Sequence, residues 1–319
     1  MKNVVVLGAT GGIGSEIVDV CLSKGVRTVG FARSKQNLKN LNEKLDSYKS
    51  KLFSYYAGDA FHQEELNQAV QNADVIIHSM SLPYSQWEQK LLKLADHVIK
   101  AAASTNAKVV VIDNIHPYGK SQMKLVSEEH PKQPHTKKGK LRLQMEELMM
   151  NNQDGVQVLF ARLPDFYGPT SSNSVLNYTL DGIAKGKSTI FIGKKDVPRE
   201  FIYLPDAAKA VVELAQHDHA YGENWNIPSA GLITGKKAIE VAQKEAGNKT
   251  KVNSIGKNGF RILGLFNKEM RETIEMLYLT ESPLVLSGDK YEQRIGQIPK
   301  TPYNQGISET IKALIESKK

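Results

Sequence analysis

From Val4 to Ala161 the sequence repeats one rhythm: a short apolar, β-branched run, a turn, then a longer amphipathic stretch. The apolar runs are Val4–Leu7, Thr28–Phe31, Lys51–Tyr56, Val75–His78, Val109–Ile112 and Val156–Ala161. Stretches of helical period lie between them, at Ile13–Ser23, Gln63–Gln71, Gln86–Ala103 and Lys140–Asn151. Strands this apolar need cover on both faces. Helices between successive strands supply that cover when the strands run parallel. The expected fold is therefore α/β, with a doubly wound parallel sheet.

After Pro164 the rhythm breaks. Residues 165–170 read as a loop, 175–185 as a helix and 189–192 as a strand. A strand-to-helix step over 201–216 resembles a return to the main sheet. From Trp225 short elements mix with Gly and Pro, ending in an amphipathic helix over 307–316.

Gly8-Ala9-Thr10-Gly11-Gly12-Ile13-Gly14 follows the first strand directly and opens the first helix. In that setting Gly8 permits the tight turn, Gly11 lets the backbone approach a pyrophosphate, and Gly14 lets the helix pack on the strand. The phosphates then rest on free N–H groups at the helix start. Gly8, Thr10, Gly11, Gly12, Ile13 and Gly14 are thus candidate ligands of a dinucleotide on a Rossmann-type sheet. The expected division is a dinucleotide-binding part of residues 1–164 plus 201–224, with a smaller C-terminal substrate lobe of 165–200 plus 225–319.

The second strand should end beside the adenosine ribose, where an acid would favour NAD. The sequence has Arg33-Ser34-Lys35 there, and a guanidinium suits a 2′-phosphate. This predicts NADP(H) rather than NAD(H), with Arg33 and Ser34 as contacts; the alternative is a solvent-exposed arginine. Asp59 and Ala60 after the third strand are placed to meet the adenine, and His78 to line the cleft near the nicotinamide ribose.

Composition excludes some partners. No apolar run reaches the ~20 residues of a membrane helix, so no membrane is expected. The single Cys21 cannot form an internal disulfide, and the opening apolar stretch is too short for a signal peptide; both fit a cytoplasmic protein. The formal net charge is +8, but its lysines are spread, the densest groups being Lys137-Lys138-Gly139-Lys140 and Lys194-Lys195. Without a helix-turn-helix, zinc or RNA-binding signature beside them, no nucleic acid is expected. The charge would favour a phosphorylated or carboxylated ligand, or simply solvate the surface. His217-Asp218-His219 lacks a further ligand, so no metal is expected, and Gly186-Lys187-Ser188 lacks the earlier glycine of a phosphate loop.

With these motifs the sequence resembles the extended branch of the short-chain dehydrogenase/reductase superfamily, the NAD-dependent epimerase/dehydratase-like proteins. The resemblance rests on Gly8, Gly11 and Gly14 three apart, Gly58-Asp59, Tyr118-Gly119, residues 166–169 and the segment Arg199–Ala208. It implies an NAD(P)-dependent enzyme with a small-molecule substrate, and a homodimer by family analogy. The family's catalytic pair is Tyr-x-x-x-Lys with an upstream Ser or Thr. Here Lys140 is taken for the lysine, which puts Thr136 at the tyrosine; aligning on Tyr118-Gly119 puts Asn114 at the Ser/Thr. A threonine hydroxyl is a far weaker acid than a phenol. Asp113, Asn114 and Tyr118, at the end of a central strand, are therefore the candidate catalytic groups beside Lys140, with Lys140 also on the nicotinamide ribose. Tyr118, Asp165, Tyr167 and Arg199 are candidate substrate contacts. The expected function is NADP(H)-linked carbonyl chemistry with a non-standard proton donor. The alternatives are a sugar-nucleotide epimerase or dehydratase, and a non-catalytic NADP(H)-binding redox sensor.

Overall fold

The structure, a computed structural model, describes residues 1–121, 123, 125–171 and 174–317. Six β-strands and six helices alternate through the first half. In chain order they are β1 (Asn3–Leu7), α1 (Gly12–Ser23), β2 (Arg27–Ala32), α2 (Lys35–Glu43), α3 (Lys49–Leu52), β3 (Phe53–Ala57), α4 (Gln63–Val70), β4 (Val75–His78), α5 (Trp87–Ala103), β5 (Lys108–Asn114), α6 (Lys137–Met150) and β6 (Val158–Leu163). The expected third strand over 51–56 begins two residues late: Lys49–Leu52 makes one helical turn before Phe53 enters the sheet.

All six strands pair in parallel, and a seventh, β10 (Asn224–Asn226), adds beside β6 in the order β10-β6-β5-β4-β1-β2-β3. The alternation of β1 shows why the sheet is covered twice. Val4 and Val6 enter a core with α1, while Val5 and Leu7 enter one with α4, α5 and α6. The strand order reverses between β1 and β4, so the crevice at their C-terminal ends is where such sheets bind ligands.

The rest of the chain forms β7 (Asp165–Tyr167), α7 (Val175–Ala184), β8 (Thr189–Ile192), β9 (Pro198–Tyr203), α8 (Leu204–Leu214), β11 (Leu232–Thr234), α9 (Gly235–Ala246), β12 (Val252–Ile255), α10 (Lys257–Leu263), α11 (Lys268–Thr273), α12 (Asp289–Arg294) and α13 (Tyr303–Glu316). The strand at 198–203 does not return to the main sheet as the sequence suggested. It joins β7 and β11 in a separate three-stranded sheet, and β8 pairs with β12 in a third. What returns is α8, packed on α1, and then β10. Phe191, Phe201, Leu176, Leu180, Ile239 and Ile307 share a further apolar cluster away from the main sheet. No helix among the described residues is long and apolar enough to cross a membrane.

Candidate functional site

The turn from β1 into α1 has the geometry its glycines require. Gly8 sits at φ +90°, a conformation that strains any L side chain, and a Cβ on Gly14 would stand 2.1 Å from the Gly8 carbonyl oxygen. Helix α1 begins after an extended Gly11, with no side-chain cap and no acid in its first turn. Its first N–H groups are left for a ligand, and the helix dipole favours an anion there. Thr170 packs on the start of this helix, its hydroxyl 3.2 Å from the Gly12 carbonyl and 2.8 Å from Glu16 Oε1.

A cleft of about 1320 Å³, its open mouth included, runs from this turn across the sheet edge. Gly8, Thr10, Gly11, Gly12 and Ile13 form its floor, Arg33, Ser34, Asp59 and Ala60 one end, and Ser79–Leu82 the other. Gly14 and His78, also expected at the cofactor, are not among its lining residues. Asp59 Oδ1 accepts the Phe61 N–H at 3.0 Å, which shapes the turn. Phe166 and Asn37 also line the cleft. Phe166 belongs to the loop motif of residues 166–169 but was not expected as a cleft residue, and Asn37 carries no motif; their place depends on the β7 turn and on the first turn of α2.

Beyond the end of β5 the sequence candidates separate. Asp113 is buried between two guanidinium groups, Arg142 Nη1 at 3.4 Å and Arg162 Nη2 at 3.2 Å. Arg162 also pairs with Glu146 at 2.8 Å, and Lys132 pairs with Glu146 from the other side. Burial works against the Glu146 carboxylate, but Arg162 and Lys132 outweigh it and hold its pKa below the usual range. Asn114 Oδ1 accepts the His116 N–H at 3.0 Å and so shapes the following turn. Tyr118 is fully buried, donates to Asn226 Oδ1 at 2.9 Å, and is pushed up to about 12 by burial. The expectation of Tyr118 as proton donor or substrate contact is corrected: its hydroxyl is held in the core, away from the cleft.

The expected register of the catalytic helix is corrected as well. Thr136 is the N-cap of α6, its hydroxyl accepting the Gly139 N–H, and Lys140 is exposed. The buried face of α6 instead carries Lys138 and Arg142, one turn apart, followed by Met145, Glu146 and Met149. Lys138 Nζ pairs with Glu272 and, at 3.1 Å, with Glu275, and lies 5.8 Å from the Tyr84 ring centroid. Glu275 also accepts the backbone N–H groups of Lys137 (2.6 Å) and Lys138 (3.2 Å) at the helix start. Arg142 stacks 4.4 Å from the Trp87 ring and faces His78 and His116, both pushed down to about 3 by burial first and by Arg142 second. A sequence signal for this register existed: Lys138-Gly139-Lys140-Leu141-Arg142 has the family's four-residue spacing between two cations.

The substrate candidates beyond β6 do not converge on the cleft. Arg199 is buried between Phe191 and Phe201 and committed to Asp165 at 2.9 Å and the Ile192 carbonyl at 3.0 Å. Tyr167 is buried against Tyr203 and Tyr303, and burial raises its pKa.

Comparison with known proteins agrees with this architecture. The sequence model of the NAD dependent epimerase/dehydratase family matches residues 4–227. A putative UDP-glucose 4-epimerase of Methanocaldococcus jannaschii is 22% identical over an alignment of 329 residues, spanning 97% of each chain. A 1-deoxy-D-xylulose 5-phosphate reductoisomerase of Thermus thermophilus is 41% identical over 64 residues only, 20% of this chain and 17% of that protein. Among solved structures, the UDP-glucuronic acid 4-epimerase of Bacillus cereus in complex with NAD has a TM-score of 0.80 over 99% of this chain and 100% of that one, at 17% identity. The UDP-glucose 4-epimerase of Thermus thermophilus in complex with NAD has a TM-score of 0.75 over 98% of each, at 15% identity.

The NADP(H) expectation is corrected to NAD, because the matching family is NAD-dependent and these solved neighbours hold NAD. The geometry accounts for the misreading. Arg33 is exposed and has no ion-pair partner among the described residues, and the Ser34 hydroxyl caps α2 by accepting the Asn37 N–H. Neither is built into a phosphate pocket.

Proposed function

Because the chain belongs to the NAD-dependent epimerase/dehydratase family, we propose that it binds NAD along the cleft and inverts a carbinol centre of a nucleotide-linked sugar. The observation that carries this reading is the uncapped start of α1 at the β1/β4 reversal, opening on a cleft lined from Arg33 and Asp59 through the glycine turn to Leu82. The likeness to epimerases over nearly the whole of both chains supports the substrate class. NAD, when bound, supplies the hydride acceptor. Gly8–Gly14 would hold its diphosphate, Asp59 and Ala60 its adenine, and Ser34, Asn37 and Arg33 would bond the ribose hydroxyls.

On the register of the buried helix face, Lys138 would take the place of the family's tyrosine and Arg142 that of its lysine. The Lys138 ammonium would relay the proton of the sugar hydroxyl, handing one of its own to the Glu272 or Glu275 carboxylate as it takes the hydroxyl proton, and would return it by the same path. Arg142, anchored by Asp113 and Trp87, would supply positive charge beside it.

The test is to purify the protein, assay bound NAD, and incubate it with UDP-glucose and UDP-glucuronic acid. Epimer formation is followed by NMR and NADH by absorbance. Epimer formation lost at least ~100-fold in Lys138→Met, with NAD still bound, is the expected outcome. Bound NAD with neither epimer nor NADH favours a non-catalytic NAD-binding reading, for which the double carboxylate clamp on Lys138 is the supporting observation. Absence of NAD binding overturns both.

A further inference from the structure

We propose that the turn joining α10 to α11 docks on an anionic membrane surface. Leu265 and Phe266 at its tip are 76% and 89% exposed, and Ile262 and Leu263 beside them 63% and 42%. Helix α10 buries Phe260 alone, which anchors the hairpin and leaves the remaining large apolar side chains outside. Isolated apolar residues on a surface need no explanation, but four within five positions do.

The charges around the tip are sorted. Lys257, Arg261, Lys268 and Arg271 are all exposed. The carboxylates of the same segment turn inward instead. Glu269 accepts the Ser85 N–H at 3.2 Å, and Glu272 pairs with the buried Lys138. From residue 257 to 271 the outer surface therefore presents apolar groups and cations, with no exposed acid.

An apolar tip ringed by cations fits the boundary of a bilayer, where the apolar groups enter the acyl region and the cations meet anionic headgroups. The shape favours lipid over a protein. Two consecutive side chains this exposed form a projection, which a bilayer accommodates without a preformed pocket. The sequence led to the expectation of no membrane because it lacks a spanning helix, and a surface contact needs no span. The inference is independent of the reaction proposed above.

The experiment is co-sedimentation of the full chain with vesicles of phosphatidylcholine alone or with about 30% phosphatidylglycerol, at about 0.1 M and about 0.5 M salt. Wild type is expected on the anionic vesicles at low salt and largely released at high salt. Arg261→Gln with Lys268→Gln should weaken binding roughly 30-fold, at about a factor of five per cation. Leu265→Ser with Phe266→Ser should weaken it at least ~10-fold. Lys236→Gln with Lys237→Gln, an equal charge loss elsewhere, should leave binding within ~3-fold of wild type. Circular dichroism verifies that each variant folds. No binding to anionic vesicles overturns the proposal. So does equal binding by the Leu265/Phe266 variant, or an equal loss from the Lys236/Lys237 variant. If vesicles are ignored while the tip substitutions reduce the mass in sedimentation velocity, the surface joins copies of the chain and the membrane proposal is wrong.

Discussion

Acid should destabilise this protein through two imidazoles that take no proton in the fold. His78, ending β4, and His116, just beyond β5, are buried, and both are pushed down to about 3 by burial and by Arg142. In the unfolded chain they titrate near ~6.5. The folded pKa lies below the unfolded one, so below about 6.5 the unfolded chain binds protons that the folded one refuses, and stability falls with pH from there toward about 3. Between about pH 7.5 and about pH 5 each histidine costs roughly 2 kcal/mol. Glu200 opposes this. Burial pushes its carboxyl up to about 7, against the lowering effect of N–H bonds from Leu286 and Ser229. Its folded pKa lies above the unfolded one, so it returns roughly 2 kcal/mol over the same interval. These three groups together should therefore cost about 2 kcal/mol. The informative quantity is the difference between variants. Urea unfolding at both pH values, followed by tryptophan fluorescence, should show the acid loss shrinking by roughly 2 kcal/mol in His78→Leu and again in His116→Leu, whatever their stability at neutral pH. An unchanged pH dependence in both variants would mean that the imidazoles protonate inside the fold, and the argument from burial would be wrong.

Three further substitutions separate the site from its surroundings. Gly14→Ala drives a methyl into the Gly8 carbonyl and should cost about 1–3 kcal/mol and abolish NAD binding, read by thermal melting and cofactor fluorescence; unaltered binding would refute the phosphate cradle. Tyr118→Phe leaves Asn226 Oδ1 without its phenol donor and should cost about 1–2 kcal/mol in urea unfolding while turnover stays within ~3-fold; a collapse in turnover with stability intact would restore Tyr118 to the chemistry. Arg33→Ala should change NAD affinity by less than ~10-fold in a binding titration, since an exposed contact to a hydroxyl is weaker than one to a phosphate; a ~100-fold loss would contradict that role.

The sheet was legible because it depends on local patterns: β-branched runs covered on both faces, and glycines whose spacing admits one turn. The site was legible only where backbone makes it. Gly8 to Gly14 needs no knowledge of the rest of the chain, whereas a side chain at a strand end is read by its neighbours. Tyr118 looked catalytic from its place after β5, yet its hydroxyl meets Asn226, a residue 108 positions away on a strand too short to predict. Arg33 looked like a phosphate ligand because strand-end charge was the available clue, and charge alone says nothing of whether a pocket surrounds it.

The lysine register failed for a different reason. Lys137, Lys138 and Lys140 crowd the first turn of α6, and without a tyrosine the four-residue spacing can be laid on Thr136/Lys140 or on Lys138/Arg142. Burial decides between them. Lys138, Arg142, Met145 and Met149 recur at helical spacing on the face turned to the protein. A lysine on that face is stable only with counter-charge, which Glu272 and Glu275 bring from far along the chain. The pair proposed in place of the family's tyrosine and lysine thus depends on a segment outside the matched residues 4–227, so the four-residue spacing within them could not by itself settle the register.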